Sequence, residues 1–166
     1  MDDRPTVSRP HIPGYGIPDH ADGLLNWQHV VDRLSGARNY WVDTADHNGV
    51  VHTTPIWGGV VDGTLYIEGG PTTRRGRNIA ENPNVAVHLE NGEDVVIIEG
   101  TAEHVSPPSP ELAQRLVEAI EAKYGSSGYH PSAEQWNDGG LYVIRPRKAF
   151  AWTNFPADTT RFEFSP

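Results

Sequence analysis

Apolar and polar residues alternate with a period of two over most of this chain, and Gly, Asn and Asp clusters interrupt the alternation at short intervals. That pattern predicts strands joined by tight turns. Asn39 to Asp46 is the first predicted strand. His47-Asn48-Gly49 turns it back into Val50 to Trp57, because Asn-Gly favours a hairpin. Gly58-Gly59 interrupts, Val60-Val61 resumes, and Asp62-Gly63 is a second hairpin turn into Thr64 to Glu68. These strands are expected to pair as a three-stranded meander. Asn84 to Glu90 and Asp94 to Val105 follow, joined at Asn91-Gly92, with Gly100 marking a bend or bulge. Leu141 to Arg145, Ala149 to Trp152 and Thr159 to Phe164 complete the set.

Two stretches show helical spacing instead. Leu24, Trp27, Val31 and Leu34 fall on one face of a helix over Asp22 to Leu34, ended by Gly36. Ser109 to Tyr124 has a Ser N-cap, Pro at the first position, and Leu112, Leu116, Val117 and Ile120 on its buried face. Ser126 to Gly140 is a Gly-, Ser- and Asn-rich loop. Residues 1–20 hold several prolines and no apolar period, and are expected to form an extended arm before a single domain over 21–166. The sum is a mainly β protein with flanking helices. Six or more antiparallel strands on tight turns imply a small closed barrel.

Composition narrows the function classes. The 166 residues carry a net charge of -9, which argues against nonspecific nucleic-acid binding. No apolar run approaches the roughly 20 residues that span a bilayer, and no signal-peptide core is visible, so a cytoplasmic protein is expected. There is no cysteine, hence no disulfide or thiolate site. The eight histidines are scattered and show no helical metal spacing. No nucleophile elbow, Walker loop or Rossmann fingerprint occurs. No catalytic acid or base can be named.

The exception to the acidic balance is Thr64 to Pro83. A strand ends at Glu68, Gly69-Gly70-Pro71 turns the chain, and Thr72 or Thr73 caps a short helix that opens with Arg74, Arg75 and Arg77. Free amides at a helix N-terminus favour an anion, and guanidinium groups strengthen that preference. A phosphate site at Thr73, Arg74 and Arg75 is therefore expected. The plainer alternative is that arginines on an exposed short helix only solvate it.

This segment resembles the phosphate-binding segment of the pyridoxamine 5'-phosphate oxidase-like superfamily, the flavin- and deazaflavin-binding split barrels. The family order is a strand, Ser/Thr-Arg-Lys/Arg, then a short helix ending in Asn-Pro or Asp-Pro. Here it reads Thr73-Arg74-Arg75-Gly76-Arg77-Asn78-Ile79-Ala80-Glu81-Asn82-Pro83. The resemblance runs from about Trp27 to Val105, more weakly to Phe164, and its Arg-x-Arg-Asn-Ile form looks closer to the actinobacterial deazaflavin-dependent branch than to true pyridoxamine-phosphate oxidases.

The resemblance implies a six- or seven-stranded antiparallel split β-barrel, usually a homodimer with cofactor between subunits. The cofactor would be FMN, or alternatively the deazaflavin coenzyme, with Arg77 and Asn78 supporting the phosphate contacts. His52, Thr53, Thr54, Pro55, Ile56 and Trp57 align with the strand that runs along the ring. Glu68 and Gly69 fall where ribityl or phosphate contacts are made. Glu68 departs from the family's hydroxyl or aromatic residue, so it is expected to point away or pair with Arg74. Trp152 and Arg161 resemble residues that reach the flavin from the second subunit. Asp94 and Val95 fall near a ring-contacting position. The implied activity is hydride transfer to or from a small organic substrate, but not authentic pyridoxamine-phosphate oxidation, whose substrate-phosphate residues are not found here. A non-catalytic carrier or sensor of flavin, deazaflavin or haem is the alternative on the same fold.

Overall fold

The structure is a computed structural model and describes residues 4–165. Nine antiparallel strands and three α-helices make up those residues. They are β1 (Thr6–Ser8), α1 (Trp27–Gly36), β2 (Tyr40–Ala45), β3 (Val51–Ile56), β4 (Gly58–Val61), β5 (Thr64–Glu68), α2 (Arg74–Glu81), β6 (Asn84–His88), β7 (Val95–His104), α3 (Pro110–Tyr124), β8 (Leu141–Trp152) and β9 (Thr160–Glu163). The ladders run β1-β9-β8-β7-β6-β2-β3, with β4 and β5 branching off β8. This is a split barrel, and its sheet is not closed.

Several sequence expectations need correction. The first strands do not form one meander. Among the described residues β3 pairs with β2 alone, while β4 pairs with β5, so Gly58-Gly59 is a corner between two hairpins. A Cβ on Gly58 would overlap the Tyr66 carbonyl oxygen, and one on Gly59 would press on Ile120, so the corner needs both glycines. The first hairpin turns on Asp46 rather than on an Asn-Gly pair. Asp46 Oδ1 accepts from Asn48 N at 2.9 Å and Val50 N at 3.0 Å, and Gly49 alone is left-handed, at φ 78°. Asp62-Gly63 does form the expected turn, with φ 51° and 73°. The last two strands before β9 are one strand, β8, because Arg147 bulges out between the Glu99–Lys148 and Gly100–Pro146 pairs. Gly100 lies there against the Arg145 carbonyl, where no side chain fits. α1 starts at Trp27, where Asn26 Oδ1 accepts from His29 N, rather than at Asp22. Part of the N-terminal arm, Thr6–Ser8, is a strand on β9.

The two faces of the sheet differ. Along one row, Thr54, Val42, Val87, Ile98, Ala149 and Phe162 lie opposite one another strand by strand; all but the half-buried Thr54 belong to the barrel core. The adjacent outward row is Pro55, Trp41, His88, Ile97, Phe150 and Arg161, which stays half-exposed apart from the exposed Pro55. A second core forms where α3 covers β4, β5 and β8, around Leu116, Ile120, Tyr124, Trp136 and Leu141. The end of β5 stands between the two cores.

Candidate functional site

β5 delivers Glu68 and Gly69 to the turn that enters α2. Thr73 caps that helix. Its Oγ1 accepts from Gly76 N at 3.1 Å and donates to Gly70 O at 2.7 Å, so the hydroxyl's one proton is committed to the turn. A Cβ on Gly76 would overlap the Gly70 and Pro71 carbonyl oxygens, which keeps the helix tight against the turn. Among the described residues no acceptor meets the amides of Arg74 and Arg75. α2 docks on β2 through buried Asn78, whose Nδ2 donates to Thr44 Oγ1 at 3.0 Å.

The three arginines separate. Arg74 and Arg77 are exposed; Arg77 Nη1 donates to Thr72 O at 2.5 Å, and Asp46 nearby has its pKa held below the ordinary carboxylate value, first by the hydrogen bond from Val50 N and, to a smaller degree, by Arg74. Arg75 is only 9% exposed. Its Nη1 donates to Thr54 Oγ1 at 2.9 Å and its Nη2 to Glu68 O at 3.1 Å. Both partners are neutral oxygens, and no carboxylate pairs with it among the described residues. Burial pulls its pKa below the ordinary arginine value, with the Tyr142 phenol opposing. A buried cation without a counter-charge is costly, and an anion at the turn would offset the cost. Gly69 makes room for it: a Cβ there would overlap Arg75 Nη2.

Glu68 points away from the arginines. Its Oε1 accepts from Tyr129 Oη at 3.1 Å, Gln135 Nε2 at 2.7 Å and Trp136 Nε1 at 3.1 Å. Burial raises its pKa, and the three donors oppose that shift without cancelling it.

The stretch His52 to Trp57 divides in three directions. His52 and Thr54 face inward, and only Thr54 meets Arg75. Thr53 and Pro55 face outward, where Thr53 Oγ1 donates to Asp43 Oδ1 at 2.5 Å and Pro55 lies opposite Trp41. Ile56 is buried in the barrel core, and Trp57 stacks on Tyr124 in the second core, ring centroids 4.6 Å apart. Trp152 and Arg161 share the outward face, four and five ladders from β3 respectively. Arg161 Nε donates to Ser8 Oγ at 3.2 Å and its Nη2 pairs with Glu163. Asp94 is held by Arg33 Nε at 2.6 Å, and Val95 is buried. Within one chain, then, Thr54, Glu68, Gly69, Thr73, Arg74 and Arg75 come together with Asn78 behind them, and Trp152, Arg161, Asp94 and Val95 stay apart. A cavity of about 630 Å³ between α1, the Asp62-Gly63 turn and Phe164 lies at the other end of β5 and touches none of these groups. Among the described residues no cluster of three or more metal-ligating side chains occurs, and no helix is long and apolar enough to cross a membrane.

The strand, turn and helix around Arg75 fall inside the segment that a family model recognises. The pyridoxamine 5'-phosphate oxidase model matches residues 27–153. The chain belongs to the pyridoxamine 5'-phosphate oxidase family. No curated protein matches it. Solved structures with the same fold include the conserved hypothetical protein Rv2991 of Mycobacterium tuberculosis, at 24% identity and a TM-score of 0.65 over 81% of this chain and 89% of that one. The heme-binding protein of Mycobacterium smegmatis aligns at 15% identity and 0.62 over 80% of this chain and 56% of that one. HutZ, the heme storage protein of Vibrio cholerae, aligns at 15% and 0.57 over 75% and 92%. At these identities the likeness is one of fold.

Proposed function

We propose that this family member is an oxidoreductase that binds FMN or the deazaflavin coenzyme, with the cofactor phosphate at the Gly69 turn. Arg75 carries the proposal, as a buried guanidinium whose partners among the described residues are neutral. It would hold the phosphate from below, exposed Arg74 would close on it from solvent, and the amides of Arg74 and Arg75 would complete the cradle. Thr54 orients the guanidinium from β3. When bound, the cofactor supplies the hydride acceptor or donor, and the chain supplies placement and electrostatics. The substrate is a small organic molecule.

The functional unit is a homodimer with the cofactor at the subunit boundary. The outward row from Pro55 to Arg161 supports this. It places Trp41, Ile97 and Phe150 side by side at the surface, with Trp152 one position along. Trp152 and Arg161 are four and five ladders from Thr54 in their own chain, so they would reach a cofactor only from a second copy.

The test is a fluorescence titration with FMN and, separately, with the deazaflavin coenzyme, for wild type and the Arg74→Ala/Arg75→Ala variant. Binding of one cofactor that the variant loses supports the proposal; a wild type that binds neither overturns it. A second function, non-catalytic carriage of flavin, deazaflavin or haem, is favoured by the haem proteins that share this fold. Titration with hemin and an assay for turnover of reduced nicotinamide separate the two.

A further inference from the structure

Glu68 has its two kinds of acceptor committed in opposite directions. Its carboxylate faces the second core and takes all three donors on one oxygen, from Tyr129, Gln135 and Trp136. Its main-chain oxygen faces the other way and receives Arg75 Nη2. The next residue repeats the connection, with Gly69 N donating to Gly140 O at 2.9 Å. The turn that enters α2 therefore hangs from the segment between α3 and β8.

Packing alone does not account for a carboxylate at this place. An apolar side chain would fill the second core without the cost of desolvating a charge. The return is geometric. Among the described residues Arg75 has two protein partners, Thr54 on the margin strand β3 and the Glu68 carbonyl at the end of β5. β3 is laddered there on one side, to β2, whereas the Glu68 backbone is held by its own N–H, which donates to Trp57 O at 3.2 Å, and from its far side by the clamped carboxylate. Arg75 meets the main-chain oxygen of Glu68, while the carboxylate is engaged by the three donors on the other side, so the link between the two side chains runs through backbone position.

We propose that Glu68 is a positioning residue for the anion site, its carboxylate clamped by Tyr129, Gln135 and Trp136 so that its main-chain oxygen sets the reach of Arg75. This rests on the phosphate role proposed for Arg75. A contact group held by a fixed outer partner binds without reorganising. The Tyr129 to Trp136 segment thereby sets phosphate affinity without touching the ligand.

The experiment compares FMN with riboflavin, which lacks the phosphate, or the deazaflavin coenzyme with its phosphate-free form if wild type takes that cofactor. Glu68→Ala is expected to lose about tenfold in affinity for the phosphorylated form, the low end of what losing an outer partner costs at metal sites, and to leave the phosphate-free form unchanged. Glu68→Gln keeps an acceptor for the three donors and is expected to bind like wild type. In an Arg75→Ala background Glu68→Ala should add nothing, because the two substitutions remove one pathway. Tyr129→Phe/Gln135→Ala removes two of the three donors while retaining Glu68, and serves if Glu68→Ala does not fold; it should weaken the phosphorylated form alone. Equal loss for both forms, additive effects, or wild-type affinity in Glu68→Ala or, where that does not fold, in the double variant overturns the proposal while leaving the Arg75 site standing. A wild type that prefers neither phosphorylated form overturns both.

Discussion

Arg75 Nη1 donates to Thr54 Oγ1 across 2.9 Å and so ties the first turn of α2 to the strand at the open margin of the sheet. Nothing on β3 opposes the guanidinium charge, since Thr54 supplies only a neutral oxygen. Binding and stability should therefore respond differently to its removal. Arg75→Met is expected to lower affinity for a phosphorylated cofactor by about 1.5–3 kcal/mol, roughly ten- to a hundredfold. It should not lower the melting temperature of the free protein, because a buried unpaired charge is replaced by an apolar side chain. Titration and thermal denaturation on one preparation check both.

Gly69→Ala places a methyl group where Arg75 Nη2 lies. The guanidinium must then leave both of its oxygens. Affinity for the phosphorylated form should fall as far as in Arg75→Met, with the phosphate-free form bound as before. Isothermal titration with each form reads the difference.

Glu68 gives stability an unusual pH dependence. Its pKa is raised in the folded protein, chiefly by burial. The folded state thus holds a proton that the unfolded state has released, and stability falls as pH rises from about 4.5, the ordinary value, through the folded value. Glu68→Gln removes this slope. Urea unfolding at several pH values should show the variant level with wild type in acid and more stable above the window. A constant offset at every pH would refute the shift.

Lys123 is one of two lysines in the sequence, with Lys148. Its Nζ donates to Tyr40 Oη at 2.5 Å and lies 4.8 Å from the centre of that ring. The ring and the phenol oxygen favour the ammonium, but burial outweighs them and brings the pKa down to about 8. Between that value and the ordinary 10.5 the unfolded state binds more protons, so this group's contribution to stability rises with pH there. Acetylation followed by peptide mass spectrometry should give Lys123 a reactivity midpoint near 8, below the ordinary lysine value of 10.5. A midpoint at the ordinary value would contradict the burial argument.

The outward row predicts an oligomer that one charge disrupts. Ile97→Asp, in the middle of the row opposite His88 and Phe150, should yield monomers by sedimentation velocity and lose the cofactor. Glu99→Gln, exposed on the same strand, serves as the control and should keep both.

The strands, turns and Arg75 helix were legible in the sequence because each depends on local chemistry, namely two-residue alternation, left-handed glycines and a Thr cap. Arg74, Arg75 and Arg77 look equivalent as a string; only the tertiary structure shows that one is buried and two are exposed. The division of His52 to Trp57 follows from strand parity together with the corner at Gly58, and a linear alignment hides both. The Glu68 clamp joins residues more than sixty positions apart. The one local hint was a Tyr, a Gln and a Trp inside an otherwise small and polar loop. The branching of β8 between β5 and β7 had no local sign; its bulge at Arg147 was signalled only from the partner strand, by Gly100.

β8 also bears on how the chain comes together. It pairs with β5 and β9 along different parts of its length and with β7 along nearly all of it. A growing chain that has reached residue 140 holds β5 and β7 with ladder edges that nothing earlier in the sequence can fill. Both cores wait for the same twelve residues, Leu141–Trp152. Folding on the ribosome should thus finish late and in one step, and a nascent chain halted before β8 is the form most exposed to pairing with a neighbour.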